Sequence, residues 1–399
     1  MRLSSLSGHA GSALVGVVVG ALVVLAADGL TRAPTPGPEG RRLPVVDAAP
    51  DATSSPGRVL LAWSPGGLPI GTERALESMP AVRHATTVFA GLDWLTASHA
   101  PDGAPIDAPQ AGLSIPLEVA VIEPREYAPF VPAAERDAVL ALAEREALLA
   151  RTEAGLRGSG EGLRLRLTDR SVVASGVVSD LATNGYEALV RGPVPAGWTR
   201  ADRFVILRLR HARGRHVVER RLQDLLGPGQ VLRVRSQRET PYLRYADAVQ
   251  PQMIIKESFG EFAARPRADG TIAIDPAWVR RNIVRGHVPV LGEISCHRAL
   301  FPQLREALQE LVDDGLAYLI DPDQYAGCYS PRFIDRQPGG RLSHHAWGIA
   351  IDLNWRDNAF GTRPDQDRRL VERMEQWGFT WGGRWLIPDG MHFEWNRWP

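Results

Sequence analysis

A chain of 399 residues, 44% hydrophobic and 23% charged, is long enough to bury substantial cores and to hold two or three domains. Lysine plus arginine and aspartate plus glutamate both total 46, so no global field draws the chain to nucleic acid, and a nucleic-acid partner is not expected. Lys256 is the only lysine, so the basic charge rests almost wholly on arginine, a coding bias from which no function is read.

The first element is an address. Ala10 to Ala27 runs for 18 residues without a charge before Asp28 ends it. At about 1.5 Å per residue such a helix nearly spans a hydrocarbon core of about 30 Å. Residues 1–28 therefore read as a signal anchor, or as a signal peptide with the small residues Ala26 and Ala27 near a cleavage point. The length of the run favours the anchor, which makes the membrane a partner if the segment stays uncleaved. Either way, the chain beyond Asp28 is expected outside the cytoplasm, anchored to the cell membrane or secreted. Residues 29–57, rich in Pro, Ala, Gly and Ser and without apolar periodicity, read as an extended linker.

From Arg58 the texture changes. "RVLLAW", "TTVFAGLDWL" and "IPLEVAVIEP" predict strands, and residues 132–157 carry helical periodicity, with Val139, Leu142, Leu148 and Leu149 on roughly one side. Residues 58–157 thus read as an α+β module. Its order of strands and helix resembles the extracytoplasmic domains of FtsX-like and MacB-like permeases. Residues 158–240 alternate in a strand-like way through "LRLRLTDRSVVASGVVSD", "EALVRG" and "RFVILRLR", and read as a β-rich module. Neither stretch holds a catalytic constellation, so this half is expected to bind or to space.

Residues 241–399 form the third unit, with a core over 288–399. "RALFPQLREALQELVDDGL" sets Leu304, Leu308, Leu311 and Leu316 at helical intervals. "AYLI" predicts a strand, and "PDQDRRLVERMEQW" a helix ended by Gly378. The strand-rich "FTWGGRWLIPDGMHFEW" closes the chain. The fold class is α+β, a small antiparallel sheet with packed helices.

Two stretches of this unit carry chemistry. In "SHHAWGIAID" a strand over "GIAID" puts Gly348, Ala350 and Asp352 on one face and Ile349 and Ile351 in the core. Gly348 lets the chain turn, which returns His345 over the face that bears Asp352. His344 lacks that spacing and reads as a bystander. In "MHFEW", His392 and Glu394 share one strand face. Taken singly, each of these residues is an ordinary buried polar group. Together His345, Asp352 and His392 are three good zinc ligands, which leave a fourth position for water, and Asp389, three residues before His392, is placed to take a proton.

The two stretches resemble the zinc D-alanyl-D-alanine carboxypeptidases of the VanY and VanX type and the related L-alanyl-D-glutamate endopeptidases. The first signature of that family is a serine, then His, Gly, Ala and Asp at fixed intervals, matched by Ser343, His345, Gly348, Ala350 and Asp352. The second has an acidic residue three places before the last ligand, matched by Asp389 and His392. The resemblance covers roughly 288–399. It implies a Zn²⁺ cofactor, peptidoglycan stem peptides as substrate, and hydrolysis of a peptide bond with Asp389 as general base and then acid. It also implies an upstream arginine that pairs with a substrate carboxylate. Arg332 is the first choice for that catalytic and substrate-binding role and Arg336 the second. Ser343 is assigned to the substrate side, hydrogen-bonding close behind the ligands. Trp347, Trp381 and Trp385 either wall the cleft or pack in the core. Carboxypeptidase action is the leading reading and endopeptidase action the other. A third reading makes the N-terminal half the working part, binding the wall or a partner.

Cys296 and Cys328 both fall in the last unit. In an exported protein such a pair is expected to form a disulfide, worth roughly 3–4 kcal/mol by chain entropy. The alternative, metal ligation through Cys296 and His297, would duplicate a ligand set already complete.

Overall fold

The computed structural model describes residues 57–158, 160–198, 202–246 and 250–399. The expected signal segment and nearly all of the linker lie outside these residues. Among the described residues no helix is long and apolar enough to cross a membrane.

The apolar runs that begin at Val59 pair into one mixed sheet of eleven strands. Its first five strands are β1 (Val59–Trp63), β2 (Val82–Leu95), β3 (Ala97–His99), β4 (Pro105–Asp107) and β5 (Ile115–Val121). The other six are β6 (Glu146–Ala150), β7 (Arg164–Arg166), β8 (Ser171–Val178), β9 (Ala188–Val190), β10 (Arg203–Leu209) and β11 (Arg233–Ser236). In space they run β11-β1-β10-β2-β5-β9-β6-β8-β7-β3-β4. Pairing is antiparallel except between β5 and β9 and between β6 and β8. β5 is buried at every position, which is what its nearly continuous apolar run requires of a strand covered on both faces.

Two expectations are corrected here. The helix read over 132–157 is broken: only Arg136–Ala141 and Arg151–Leu156 are α-helical, and β6 lies between them. Arg145 takes a left-handed φ of 64°, and β6 is then paired on both edges, by β9 and β8. Pairing on both sides with Ala147 to Ala150 buried outweighs the helical preference of Ala, Glu and Leu. Second, the strands read as two modules share one sheet, with β6 and β8 joined across residue 158. The strand pattern was legible, but which strands pair was not.

The C-terminal region packs around one core that includes Leu304, Leu308, Trp347, Ile351 and Phe393. It contains the hairpins β12 (Ala264–Pro266) with β13 (Ile272–Ile274) and β14 (Ile283–Val288) with β15 (Gly292–His297). A three-stranded antiparallel sheet completes it, in the order β16 (Ala350–Asp352), β18 (His392–Trp395), β17 (Phe379–Trp381). The helix Phe301–Asp313 buries Leu304, Leu308 and Leu311 as its periodicity predicts. Helix Arg368–Gln376 starts where Asp367 accepts the Arg369 N–H at 2.8 Å, and Gly378 follows its end at φ 83°. The strand expected at "AYLI" is a 3₁₀ turn, Ala317–Leu319. Gly315 at φ 67° turns the chain sharply out of the preceding helix, and the short segment pairs with no strand among the described residues.

The two regions are locked together by buried charge. Lys256, on the helix Gln252–Phe259, is fully buried, with its Nζ 2.7 Å from Glu187 and 3.0 Å from Glu261. It also donates to the Pro116 carbonyl in β5 at 2.5 Å. The one lysine of the chain is therefore an internal tie between the large sheet and the C-terminal region. Leu92 of β2 joins the C-terminal core, and Trp94 meets Phe333 edge-on at 6.4 Å.

Candidate metal centre

β16 and β18 are antiparallel neighbours in a register that sets Asp352 opposite His392 and Ala350 opposite Glu394. Directly opposed residues share a face, so both polar side chains project together and the small Ala350 leaves room beside Glu394. His345 arrives from the 3₁₀ turn His344–Ala346. Ser343 caps that turn, its Oγ accepting the His345 N–H at 3.3 Å. Gly348 then reverses the chain at φ 68°, and a Cβ there would lie 2.8 Å from the His297 backbone nitrogen. This is the turn that the "WGIAID" spacing predicts.

Three atoms converge as a result. His345 Nε2 lies 3.1 Å from Asp352 Oδ1 and 3.2 Å from His392 Nδ1, and His392 Nδ1 lies 3.0 Å from Asp352 Oδ1. All three residues are buried. The outer ring nitrogens fix which lone pairs face inward. His345 Nδ1 is 2.9 Å from the Cys328 carbonyl oxygen, which only accepts, so its proton sits there and Nε2 is free. His392 Nε2 faces Glu394 Oε2 at 3.4 Å, leaving its Nδ1 toward the cluster. Ligands about 2.0–2.1 Å from a zinc ion stand about 3.3 Å apart at tetrahedral angles, so the spacing and the donor set fit one.

Electrostatics agree. Burial works against charge on Asp352, yet His345 and His392 hold its carboxyl far below the usual carboxylate range. Burial also opposes a charged His392, but hydrogen bonds to Asp352 and Glu394 raise it to about 10. Asp389 is different. Burial, with Asp352 adding to it, raises its carboxyl to about 6 against the pull of His392, His345 and Arg332, and its Oδ1 is buried without a hydrogen-bond partner among the described residues.

Residues 336–395 match the family model of D-alanyl-D-alanine carboxypeptidase. This stretch belongs to that peptidase family. The match is narrower than the motifs suggested, but it contains His345, Asp352, Asp389 and His392, while Arg332 and both cysteines precede it. No curated protein matches the chain. Among solved structures, the periplasmic region of MacB from Actinobacillus actinomycetemcomitans aligns at 11% identity and TM-score 0.31, over 46% of this chain and 92% of that one. A likeness so low carries no conclusion about the N-terminal sheet.

Around the carboxypeptidase-family stretch the remaining expected residues separate. Arg332 is at the cluster, its Nη2 4.0 Å from Asp352 Oδ2 and its side chain 24% exposed. Arg336 is exposed, on the strained turn with φ 52°. Ser343 is buried, and its Oγ is engaged in the cap, hydrogen-bonding directly behind the ligand His345. Trp347 is core, donating to the Gly260 carbonyl at 3.2 Å and packed on Phe262. Trp385 does border the cluster, its ring 5.2 Å from that of His392. Cys296 and Cys328 are joined, with Cα atoms 5.4 Å apart. The bridge anchors the segment whose carbonyl orients His345. His297 is a satisfied core histidine: its Nε2 meets the Phe259 carbonyl at 2.9 Å, and burial lowers it to about 4.

One partner was missed. His344, read as a bystander, is buried with Nδ1 2.7 Å from Glu394 Oε2. Together His344 and His392 hold the Glu394 carboxyl well below its usual range despite burial. The signal was available, because Glu394 on the same strand face as His392 needs a second cation or donor once buried.

Proposed function

We propose that the protein is an exported zinc metallopeptidase that hydrolyses a peptide bond in peptidoglycan stem peptides, acting as a D-alanyl-D-alanine carboxypeptidase. The observation that carries this is the convergence of His345 Nε2, Asp352 Oδ1 and His392 Nδ1 within 3.0–3.2 Å inside the family-matched stretch. The chemistry a zinc ion supplies when held there is Lewis acidity toward a carbonyl oxygen and toward water. Asp389 takes the proton of the attacking water and returns it to the leaving amine, a task suited to a carboxyl raised to about 6. Arg332 holds a substrate carboxylate through its guanidinium fork. Trp385 lies beside the ring of His392, the two ring centres 5.2 Å apart. Export is supported by the uncharged run Ala10–Ala27 and by the Cys296–Cys328 bridge, which persists in oxidising compartments.

The test has two parts. Metal analysis is expected to find about one zinc per parent chain and none in folded His345→Ala; equal zinc in both would remove the ligand set. Mass spectrometry of muropeptides treated with the protein is expected to show loss of a terminal D-alanine. Separation of L-alanine from D-glutamate would identify the endopeptidase instead.

A further inference from the structure

The turn His344–Ala346 supplies His345 to the cluster, and its first side chain does something else. His344 Nδ1 stands 2.7 Å from Glu394 Oε2, and that same oxygen lies 3.4 Å from His392 Nε2. His392 turns its other ring nitrogen, Nδ1, to Asp352 Oδ1 at 3.0 Å. His344, Glu394 and His392 thus form one line that ends on a ligand atom. A single short turn serves both histidine ligands, since it carries His345 itself and reaches His392 through Glu394.

Each member of the line is fixed. Glu394 is buried in the central strand β18, paired with Ala350 on one side and Thr380 on the other. His392, two residues earlier, shares its face. The backbone of His344 is held by the turn, its carbonyl accepting the Trp347 N–H at 3.1 Å and the Ile349 N–H at 3.4 Å. Its side chain is 7% exposed. Behind it lies a cavity of about 10 Å³, lined also by Glu118 of β5, by Arg244 and by Arg341, with room for no more than one water. The imidazole has no space to leave Glu394. A metal-binding histidine needs an acceptor at its outer N–H, and here that contact, at 3.4 Å, is too long to hold the carboxylate by itself. The shorter contact to His344 decides where the carboxylate sits. The family signature leaves position 344 open, so the ligand pattern does not account for a histidine there.

We propose that His344 is a positioning residue of the metal centre, which holds Glu394 against the outer nitrogen of His392 and so aims the Nδ1 lone pair of that ring at the metal. The assignment rests on the zinc-ligand reading above. It also gives the large sheet a part in the centre, because Glu118 of β5 helps to enclose the space behind His344.

The experiment uses the full chain, stripped of metal and titrated with zinc against a competing chelator, with folding checked by circular dichroism. His344→Leu should weaken zinc binding by about 10–100-fold, and His344→Gln, which returns an amide donor to Glu394, should recover most of the loss. At saturating zinc, KM on a peptide ending in D-alanyl-D-alanine should stay within about twofold of the parent in both variants. Glu394→Gln, which keeps the shape of the side chain, should weaken zinc at least tenfold. Adding His344→Leu or His344→Gln to it should then cost little more, because both changes break the same line. The cycle with His344→Gln stands even where His344→Leu does not fold. Parental zinc affinity in His344→Leu, or strictly additive losses in the cycle, would overturn the positioning role while leaving the ligand set intact. A parent that binds no zinc would remove both. Zinc binding that follows the expected pattern in a parent that cleaves no peptide would keep the positioning role and remove the peptidase reading.

Discussion

Replacing Asp389 with Asn should move stability and turnover in opposite directions. The folded protein raises the Asp389 carboxyl from 3.8 to about 6, chiefly by burial. A raised carboxyl binds its proton better folded than unfolded, so the stabilisation it provides is complete below 3.8 and lost as pH rises through about 6. At neutral pH the ionised group is then a net cost. The difference corresponds to about 3 kcal/mol at 1.36 kcal/mol per pH unit, and screening by solvent on its open side reduces this to about 1–2 kcal/mol. Asp389→Asn removes the charge and keeps the shape. In metal-free protein at pH 7.5 it should raise Tm by about 1–2 °C, with the gain vanishing toward pH 4. Bound zinc favours the ionised carboxylate, so the gain should shrink in the loaded protein. In the same variant kcat should drop by about 10²–10⁴-fold with zinc content unchanged. The assay is thermal unfolding of chelated parent and variant from pH 4 to 8, with kcat and zinc content measured in parallel. Equal or lower Tm at pH 7.5 would refute the electrostatic argument, and parental kcat with full zinc would refute the role as base and turn attention to Glu394.

Arg332→Ala should raise KM more than it lowers kcat, and Arg332→Lys should recover only part, because a point charge does not reproduce the fork; an equal loss in kcat alone would assign Arg332 elsewhere. Thiol counting on denatured, unreduced protein should find no free thiol, and the Cys296→Ser/Cys328→Ser variant should lose about 3–4 kcal/mol of stability and also bind zinc more weakly, since the Cys328 carbonyl orients His345. Lys256→Met should cost about 3–5 kcal/mol in denaturant unfolding, because it leaves Glu187 buried without its cation, while Glu261 keeps Arg157. Adding Glu187→Gln should restore part of that loss, and strict additivity of the two changes would show that the pair does not interact.

The residues of the cluster were legible from the chain alone because their chemistry is local in its demands. His345, Gly348, Ala350 and Asp352 lie on one turn and one strand, where a period of two and one left-handed glycine decide which way each side chain faces. Asp389 and His392 were readable for the same reason, as were the apolar runs that became strands and the capped helix after Asp367. What the chain alone did not decide was partnership between distant segments. The stretch at Glu146–Ala150 has helical composition and becomes a strand because two others pair with it. The modules expected on either side of residue 158 share one sheet because backbone groups on both sides must be hydrogen-bonded. His344, Ser343 and Lys256 acquired their roles only when burial set a carboxylate, a turn or a second region against them. Periodicity reports which face a residue takes, whereas the cost of burying an unpaired polar or charged group depends on what lies across from it, and that is settled only in the folded chain.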